Sequence, residues 1–183
     1  MPLATNALQS LEAWITEGVQ LTNSAAQLKY KNVESDGRAN LNLRSGTVRF
    51  WFKPQWNSGA GTGAAAKLVE VGTRGADATN GWWSVLVNPT GDKVYFVSQT
   101  NDTVEVTNLT ASVSFTSNRW SQLVLTYTNG AVALYTNGAL CATNSASVPY
   151  PPLSTRTNGF AVGCATDGDG VVKGVFEDLE TFN

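Results

Sequence analysis

The sequence contains no histidine. This absence excludes serine–histidine and cysteine–histidine catalytic arrangements, histidine-ligated zinc and acid–base chemistry by imidazole. Charged residues are also scarce, at 14% of the chain, where an average protein has about 25%. The net charge is −2 and no basic run is present. Nucleic acid is therefore not expected as a partner, because its binding needs a cationic face.

Cysteine and long apolar runs are scarce as well. Cys141 and Cys164 are the two cysteines, and their spacing fits no metal-binding pattern. Two interpretations stay open for them, one disulfide bond or two buried thiols. No run approaches the roughly 18 apolar residues of a membrane-spanning helix, so membrane insertion is not expected. The first residues lack the regions of a signal peptide, and any export signal is expected upstream.

Short alternating runs separated by turn residues are abundant. The centre of this pattern is residues 119–143, where alternating apolar side chains flank Asn129-Gly130 and Asn137-Gly138. Asn-Gly between such runs favours a type I′ hairpin, in which both central residues have positive φ. The segment therefore predicts an antiparallel meander of three strands.

Roughly a dozen strands are predicted along the whole chain. In residues 47–53, Val48, Phe50 and Phe52 share one face of a strand. A single helix is expected over residues 5–17 from its apolar spacing. The fold class is thus all-β, a two-sheet antiparallel β-sandwich (jelly roll) with at most one short N-terminal helix. All 183 residues are expected to form one domain, excised from a larger protein.

Three stretches of the chain carry a family pattern. They are SGTVRFWFKP (45–54), RWSQLVLTYTNGAVALYTNGAL (119–140) and KGVFEDLETFN (173–183). In sequence and order they resemble the laminin-G-like jelly-roll domains of the concanavalin A-like lectin/glucanase superfamily. The resemblance implies two stacked sheets that bind carbohydrate or protein partners at a concave face or its rim loops. It also implies calcium in some members and glycoside hydrolysis in a minority.

Acidic residues near the C-terminus are the candidate metal ligands. Calcium binds several oxygen atoms from carboxylates and loop carbonyls. A structural calcium ion would be held by Asp167, Asp169, Glu177 and Asp178. The alternative is that the Asp-Gly pairs only form a turn and the other acids face water.

A glycoside hydrolase would need two carboxylates on either side of the sugar bond. Strand alternation places Asp178 and Glu180 on one face and Glu177 on the other. The E-x-D-x-x-E pattern of the related glucanases is absent from this segment. No catalytic residue is therefore assigned.

Four aromatic residues are the candidate ligand-binding side chains. Trp82 and Trp83 are adjacent in a predicted strand, so one faces the core and the other the outer surface. Trp56 and Tyr150 lie in predicted loops, where a ring has less packing reason to occur. Trp120, at the start of the meander, is expected in the core instead.

The sequence therefore predicts a non-catalytic carbohydrate-binding or adhesion module of a larger exported or cell-surface protein, of bacterial type. A glycan or a surface protein is the expected partner, and the isolated domain is expected to be monomeric. One alternative is a structural or protein-interaction module without a small ligand. A glycoside hydrolase is the other.

Overall fold

A computed structural model describes residues 9–12, 17–22, 27–74, 81–100 and 104–183. These ranges contain thirteen strands and one 3-10 helix, Leu153–Asn158. None of the helical structure described in them is long and apolar enough to span a membrane. In chain order the strands are β1 (Gln9–Glu12), β2 (Glu17–Leu21), β3 (Leu28–Tyr30), β4 (Gly46–Pro54), β5 (Ala66–Gly72), β6 (Trp82–Val87), β7 (Lys93–Gln99), β8 (Val106–Ser112), β9 (Ser121–Tyr127), β10 (Val132–Thr136), β11 (Ala139–Asn144), β12 (Phe160–Val162) and β13 (Gly174–Phe182).

The strands form two antiparallel sheets. The seven-stranded sheet has the order β1-β2-β13-β4-β9-β10-β11, and the six-stranded sheet has the order β3-β12-β5-β6-β7-β8. A continuous apolar core with side chains from both sheets lies between them. The predicted all-β sandwich is therefore confirmed.

Alternation along the strands supplies the core. Val48, Phe50 and Phe52 of β4 are buried, and the residues between them are half-buried, as the sequence pattern predicts. Across the sandwich, the Tyr127 ring lies 5.5 Å from the ring of Trp83, centroid to centroid. Fully burying one such large apolar side chain stabilises the fold by roughly 1.5–3 kcal/mol. Cross-sheet packing of rings therefore holds the two layers together.

The predicted meander forms, but its two turns differ. β9, β10 and β11 are neighbours, and Asn137 and Gly138 have φ values of +50° and +79°, as a type I′ turn requires. Neither Asn129 nor Gly130 has positive φ, so the type I′ prediction is wrong there. The Thr128 hydroxyl accepts a hydrogen bond from the Gly130 N–H. That local bond favours a different, four-residue loop.

The helix expected over residues 5–17 is wrong where the structure describes this segment. β1 and β2 occupy part of it and pair antiparallel, with Ser10 opposite Val19. Residues 5–8 and 13–16 lie outside the described ranges. β2 also pairs with β13. An apolar spacing that suits a helix face also suits an edge strand, and here the sheet supplies the hydrogen-bond partners.

The two cysteines are free thiols. Cys141 is half-buried on β11, and Cys164 is buried just after β12. Burial raises the pKa of the Cys164 thiol to about 11, so it stays protonated at neutral pH. Of the two interpretations left open by the sequence, the structure therefore agrees with two thiols.

The two Asn-Gly turns give a matched stability test. Asn137 adopts a left-handed backbone conformation, and its Oδ1 accepts a hydrogen bond of 2.8 Å from the Gln122 N–H. We expect Asn137→Ala to lower the free energy of unfolding by about 1–2 kcal/mol, because it strains φ and removes that bond. Urea denaturation measures the change. The control is Asn129→Ala, because Asn129 does not have a positive φ. Its free energy of unfolding should stay within about 0.5 kcal/mol of wild type. Equal losses in the two variants would contradict the assigned turn conformations.

Candidate functional site

The two loop aromatics of the sequence-based set lie in the core. Trp56 and Tyr150 are each 7% exposed. The Trp56 Nε1–H donates to the carbonyl oxygen of Val172 at 3.0 Å, and the Tyr150 hydroxyl donates to that of Thr128 at 2.9 Å. Each ring therefore has an apolar environment and a satisfied polar atom, as buried Trp and Tyr require. Their position in loops is confirmed, but their polar atoms anchor those loops to the core.

Trp82 and Trp83 face opposite sides of β6, as alternation predicts. Trp83 packs inward, and its Nε1–H donates to the Leu43 carbonyl oxygen at 3.2 Å. Trp82 faces outward, but its ring is covered by Lys67, with Nζ at 5.4 Å from the centroid, and by Arg74, with Cζ at 5.5 Å. It is 1% exposed.

The expectation of an open aromatic surface is therefore corrected. None of the four rings exposes more than 7% of its surface, so none offers a flat face to a sugar in this conformation. Trp120, expected in the core, is half-buried instead, with Lys53 Nζ 4.8 Å from its ring centroid.

The candidate calcium ligands are not gathered around one point. Asp167 and Asp169 are exposed in the loop between β12 and β13, where the Asp169 N–H donates to Asp167 Oδ1 at 3.0 Å. Glu177 and Asp178 lie in β13 and line a small cleft of about 120 Å³. Within the described ranges, no three acidic, cysteine or histidine side chains are arranged to hold a metal ion. Asp167 thus has the turn-forming role that was the alternative for it.

A β-bulge changes the orientation of the acids in β13. Glu177 is paired with Trp51 and Glu180 with Arg49, with a register shift between them. Trp51 and Arg49 are two residues apart, so Glu177 and Glu180 point to the same face. The expectation that Asp178 and Glu180 share a face is therefore wrong. Glu180 instead forms an ion pair with Arg49.

A buried charged cluster lies on the outer face of β5. Glu70 is 1% exposed, and its Oε2 lies 3.4 Å from Lys67 Nζ. Its Oε1 accepts a hydrogen bond of 3.2 Å from the Thr166 N–H. Burial raises the pKa of Glu70 and Asp167 adds to the rise, while Lys67 and the Thr166 N–H oppose it. This cluster closes the outer face around Trp82, because Lys67 contacts both groups.

A pocket of about 760 Å³ lies at the free edge of the six-stranded sheet, beside β3. Its volume is within the roughly 300–1,000 Å³ typical of small-molecule sites. β3 forms one wall and the end of the 3-10 helix forms the other. We name it the edge pocket, and its lining residues are Lys29, Tyr30, Lys31, Val33, Arg156, Thr157, Asn158 and Gly159.

Buried hydrogen bonds fix the two walls of the edge pocket. Asn32 is fully buried, and its Nδ2 donates to the carbonyl oxygens of Arg156 at 3.4 Å and Gly159 at 3.2 Å. Gly159 has a φ of +69°, and a Cβ there would collide with the Tyr30 carbonyl oxygen. Glycine at this position therefore allows the close approach of the helix end to β3.

The edge pocket is lined by polar and cationic side chains and by the aromatic ring of Tyr30. Tyr30 stacks on Phe160, with centroids 5.1 Å apart, and burial raises the pKa of its hydroxyl, so the phenol stays neutral. Lys29 and Lys31 alternate with Tyr30 and point to the other face of the sheet. Arg156 lies opposite them. None of the acidic side chains that the structure describes lines the pocket.

The buried Glu70 makes stability depend on pH. Between its ordinary pKa of 4.5 and its raised value, the folded state holds a proton that the unfolded state has lost, so stability falls as pH rises. We expect the stability of wild type relative to Glu70→Gln to decrease as pH rises above 4.5. Denaturation of both proteins across pH measures this difference. Parallel pH profiles would contradict the raised pKa.

Comparison with known proteins identifies the fold family. The laminin G-like family model, described as the concanavalin A-like lectin/glucanases superfamily, matches residues 26–183. No curated protein sequence matches the chain.

Solved structures with the same fold include carbohydrate-binding domains. Domain 4 of AbnA, a GH43 extracellular arabinanase from Geobacillus stearothermophilus, solved with arabinotriose, is 16% identical with a TM-score of 0.64, over 97% of this chain and 76% of that one. The CBM40 of the Ruminococcus gnavus IT-sialidase is 15% identical with a TM-score of 0.65, over 97% and 92%. The carbohydrate-binding module CBM66 from Bacillus subtilis is 13% identical with a TM-score of 0.53, over 98% and 94%.

Identities this low establish a common fold and no more. The family model, in contrast, covers most of the chain and agrees with the three sequence stretches and the two-sheet sandwich. The chain belongs to the laminin G-like family of the concanavalin A-like lectin/glucanase superfamily.

Proposed function

We propose that this chain is a non-catalytic carbohydrate-binding module of an exported or cell-surface protein, and that the edge pocket is its binding site. The observation that carries the proposal is the pocket itself, about 760 Å³ in volume and bounded by rigid elements. Relatives of the same fold support it, since one is solved with arabinotriose and CBM40 also with α2,3-sialyllactose.

The lining of the edge pocket suits a sugar. Saccharides carry many hydroxyl groups, which need hydrogen-bond donors and acceptors at fixed positions. They also have apolar C–H surfaces, which need apolar contacts. Thr157 and Asn158 supply side-chain donors and acceptors at the exposed rim. Tyr30 and Val33 supply apolar area. This combination of apolar surface with a few polar groups is typical of small-ligand sites.

The edge pocket supports binding rather than hydrolysis. Glycoside hydrolysis commonly needs two carboxyl groups on either side of the bond. Among the described residues, the lining contains no aspartate or glutamate. Glu180 of β13 is already held in an ion pair by Arg49. A catalytic role therefore has no carboxyl pair at the proposed site.

A protein-interaction module is the second candidate. The burial of Trp56, Trp82, Trp83 and Tyr150 favours it, because none of these four rings is then open to a sugar. This candidate predicts that no glycan binds at the edge pocket, so one experiment separates the two.

Blocking the edge pocket tests the proposed function. Thr157 is exposed and lines the pocket. In Thr157→Trp, the indole would fill the opening, and we expect affinity for a bound glycan to fall by at least ~10-fold, about 1.4 kcal/mol. Glycan-array screening that includes arabinotriose and sialyllactose, followed by titration calorimetry, measures it.

Ser154→Trp is the matched control. Ser154 is exposed on the same 3-10 helix but does not line the pocket. We expect this variant to retain wild-type affinity, and both variants to retain wild-type melting temperatures. Equal binding by the two variants, or no glycan bound by wild type, would contradict the proposal.

A further inference from the structure

We propose that the edge pocket selects saccharides that carry an anionic group, a carboxylate or a sulfate ester. The inference rests on the proposed function and names its ligand class. Its first basis is charge. Three of the chain's 12 lysines and arginines line this pocket, and none of the acids in the described ranges does. A chain of net charge −2 thus concentrates positive charge in one concave place, where electrostatic attraction for an anion is focused.

The three pocket cations are also uncompensated. Elsewhere in the described ranges, Arg38, Arg49, Lys67 and Arg74 each form an ion pair with a carboxylate, and the other five lysines and arginines form none. Lys29, Lys31 and Arg156 form none with any residue that the structure describes. Like charges gathered without a counter-charge repel one another. An anionic ligand would relieve this repulsion, whereas a neutral sugar would not.

Arg156 has hydrogen-bonding capacity that the described residues leave unused. Its Nε has no hydrogen-bond partner among the described residues. Buried polar atoms are nearly always paired in native structures. A guanidinium donates pairs of parallel hydrogen bonds to planar or tetrahedral oxyanions. A carboxylate or sulfate group is therefore the chemistry that this side chain would satisfy.

The backbone places the three cations on two sides of the pocket. Lys29 and Lys31 project from the same face of the β3 segment, about 7 Å apart along the chain. Arg156 is carried by the 3-10 helix, which Asn32 holds against β3. A charged group in the pocket would thus contact cations from both walls.

Polysaccharide pairs that differ only in charge test the inference. Oligogalacturonate and its methyl ester differ by the carboxylate, and dextran sulfate and dextran differ by the sulfate. We expect wild type to bind at least one charged member, at least ~10-fold more tightly than its neutral counterpart. Its affinity should fall when NaCl is raised from about 50 to 500 mM, because salt screens the charges. Titration calorimetry measures each constant.

Two charge-matched triple variants locate the effect. Lys29→Gln/Lys31→Gln/Arg156→Gln removes the pocket cations, and we expect it to lose at least ~10-fold in affinity for the charged member. The control variant is Arg44→Gln/Lys93→Gln/Arg119→Gln. It removes three exposed cations that lie outside the pocket and form no ion pair with a described residue. We expect it to retain wild-type affinity at matched ionic strength. Melting curves of both variants check that the fold is intact.

The possible outcomes separate this inference from the proposed function. Equal losses in the two triple variants would mean non-specific attraction and overturn the inference. If neutral saccharides bind as tightly as charged ones, the inference on anionic ligands is overturned. If Thr157→Trp then loses this binding of neutral saccharides, the proposed function still holds. Failure of all four polysaccharides to bind would overturn the inference, and the wider glycan screen would then decide the proposed function alone.

Discussion

Packing of aromatic rings between the two sheets is the constraint on which the rest of the structure depends. Rings from both sheets meet in the core, as Trp83 and Tyr127 do, and two loop aromatics join them. Trp56 contacts Phe52, and Tyr150 contacts Tyr127. The sandwich therefore uses Trp56, Trp83 and Tyr150 for stability rather than exposing them. The edge pocket lies away from these rings, at the β3 end of the six-stranded sheet as the described residues form it.

Strand-level structure could be predicted from the sequence because alternation is local. The inward face of β4 is as the alternation predicts. The depth of single aromatics could not be predicted in this way. Trp56 is buried because its loop folds back so that its indole bonds to Val172, 116 residues away. Trp120 directly precedes β9 but lies outside the core cluster. These outcomes depend on tertiary contacts, which override local pattern.

The edge pocket could not be predicted for the same reason. Asn32 and Gly159 are 127 residues apart, and nothing in either neighbourhood identifies the other. Pairing of β3 with β12 brings them together. A buried amide needs partners, and here its partners are backbone atoms of the opposite wall. The bulge in β13 likewise has no recognisable sequence pattern. The expectation that Asp178 and Glu180 share a face was therefore wrong.

The cations of the six-stranded sheet have two different environments, and the contrast bears on function. Lys67 is held by Glu70 and covers Trp82, so its charge is neutralised inside a closed cluster. Lys29 is on the outer face of the same sheet, two strands away from β5, yet has no carboxylate partner among the described residues. The edge pocket gathers Lys29, Lys31 and Arg156 in one concave place, and this arrangement fits the binding role proposed for it. Surface ion pairs contribute little to folding, so the gathering of the cations, rather than their lack of ion pairs, is what favours that role.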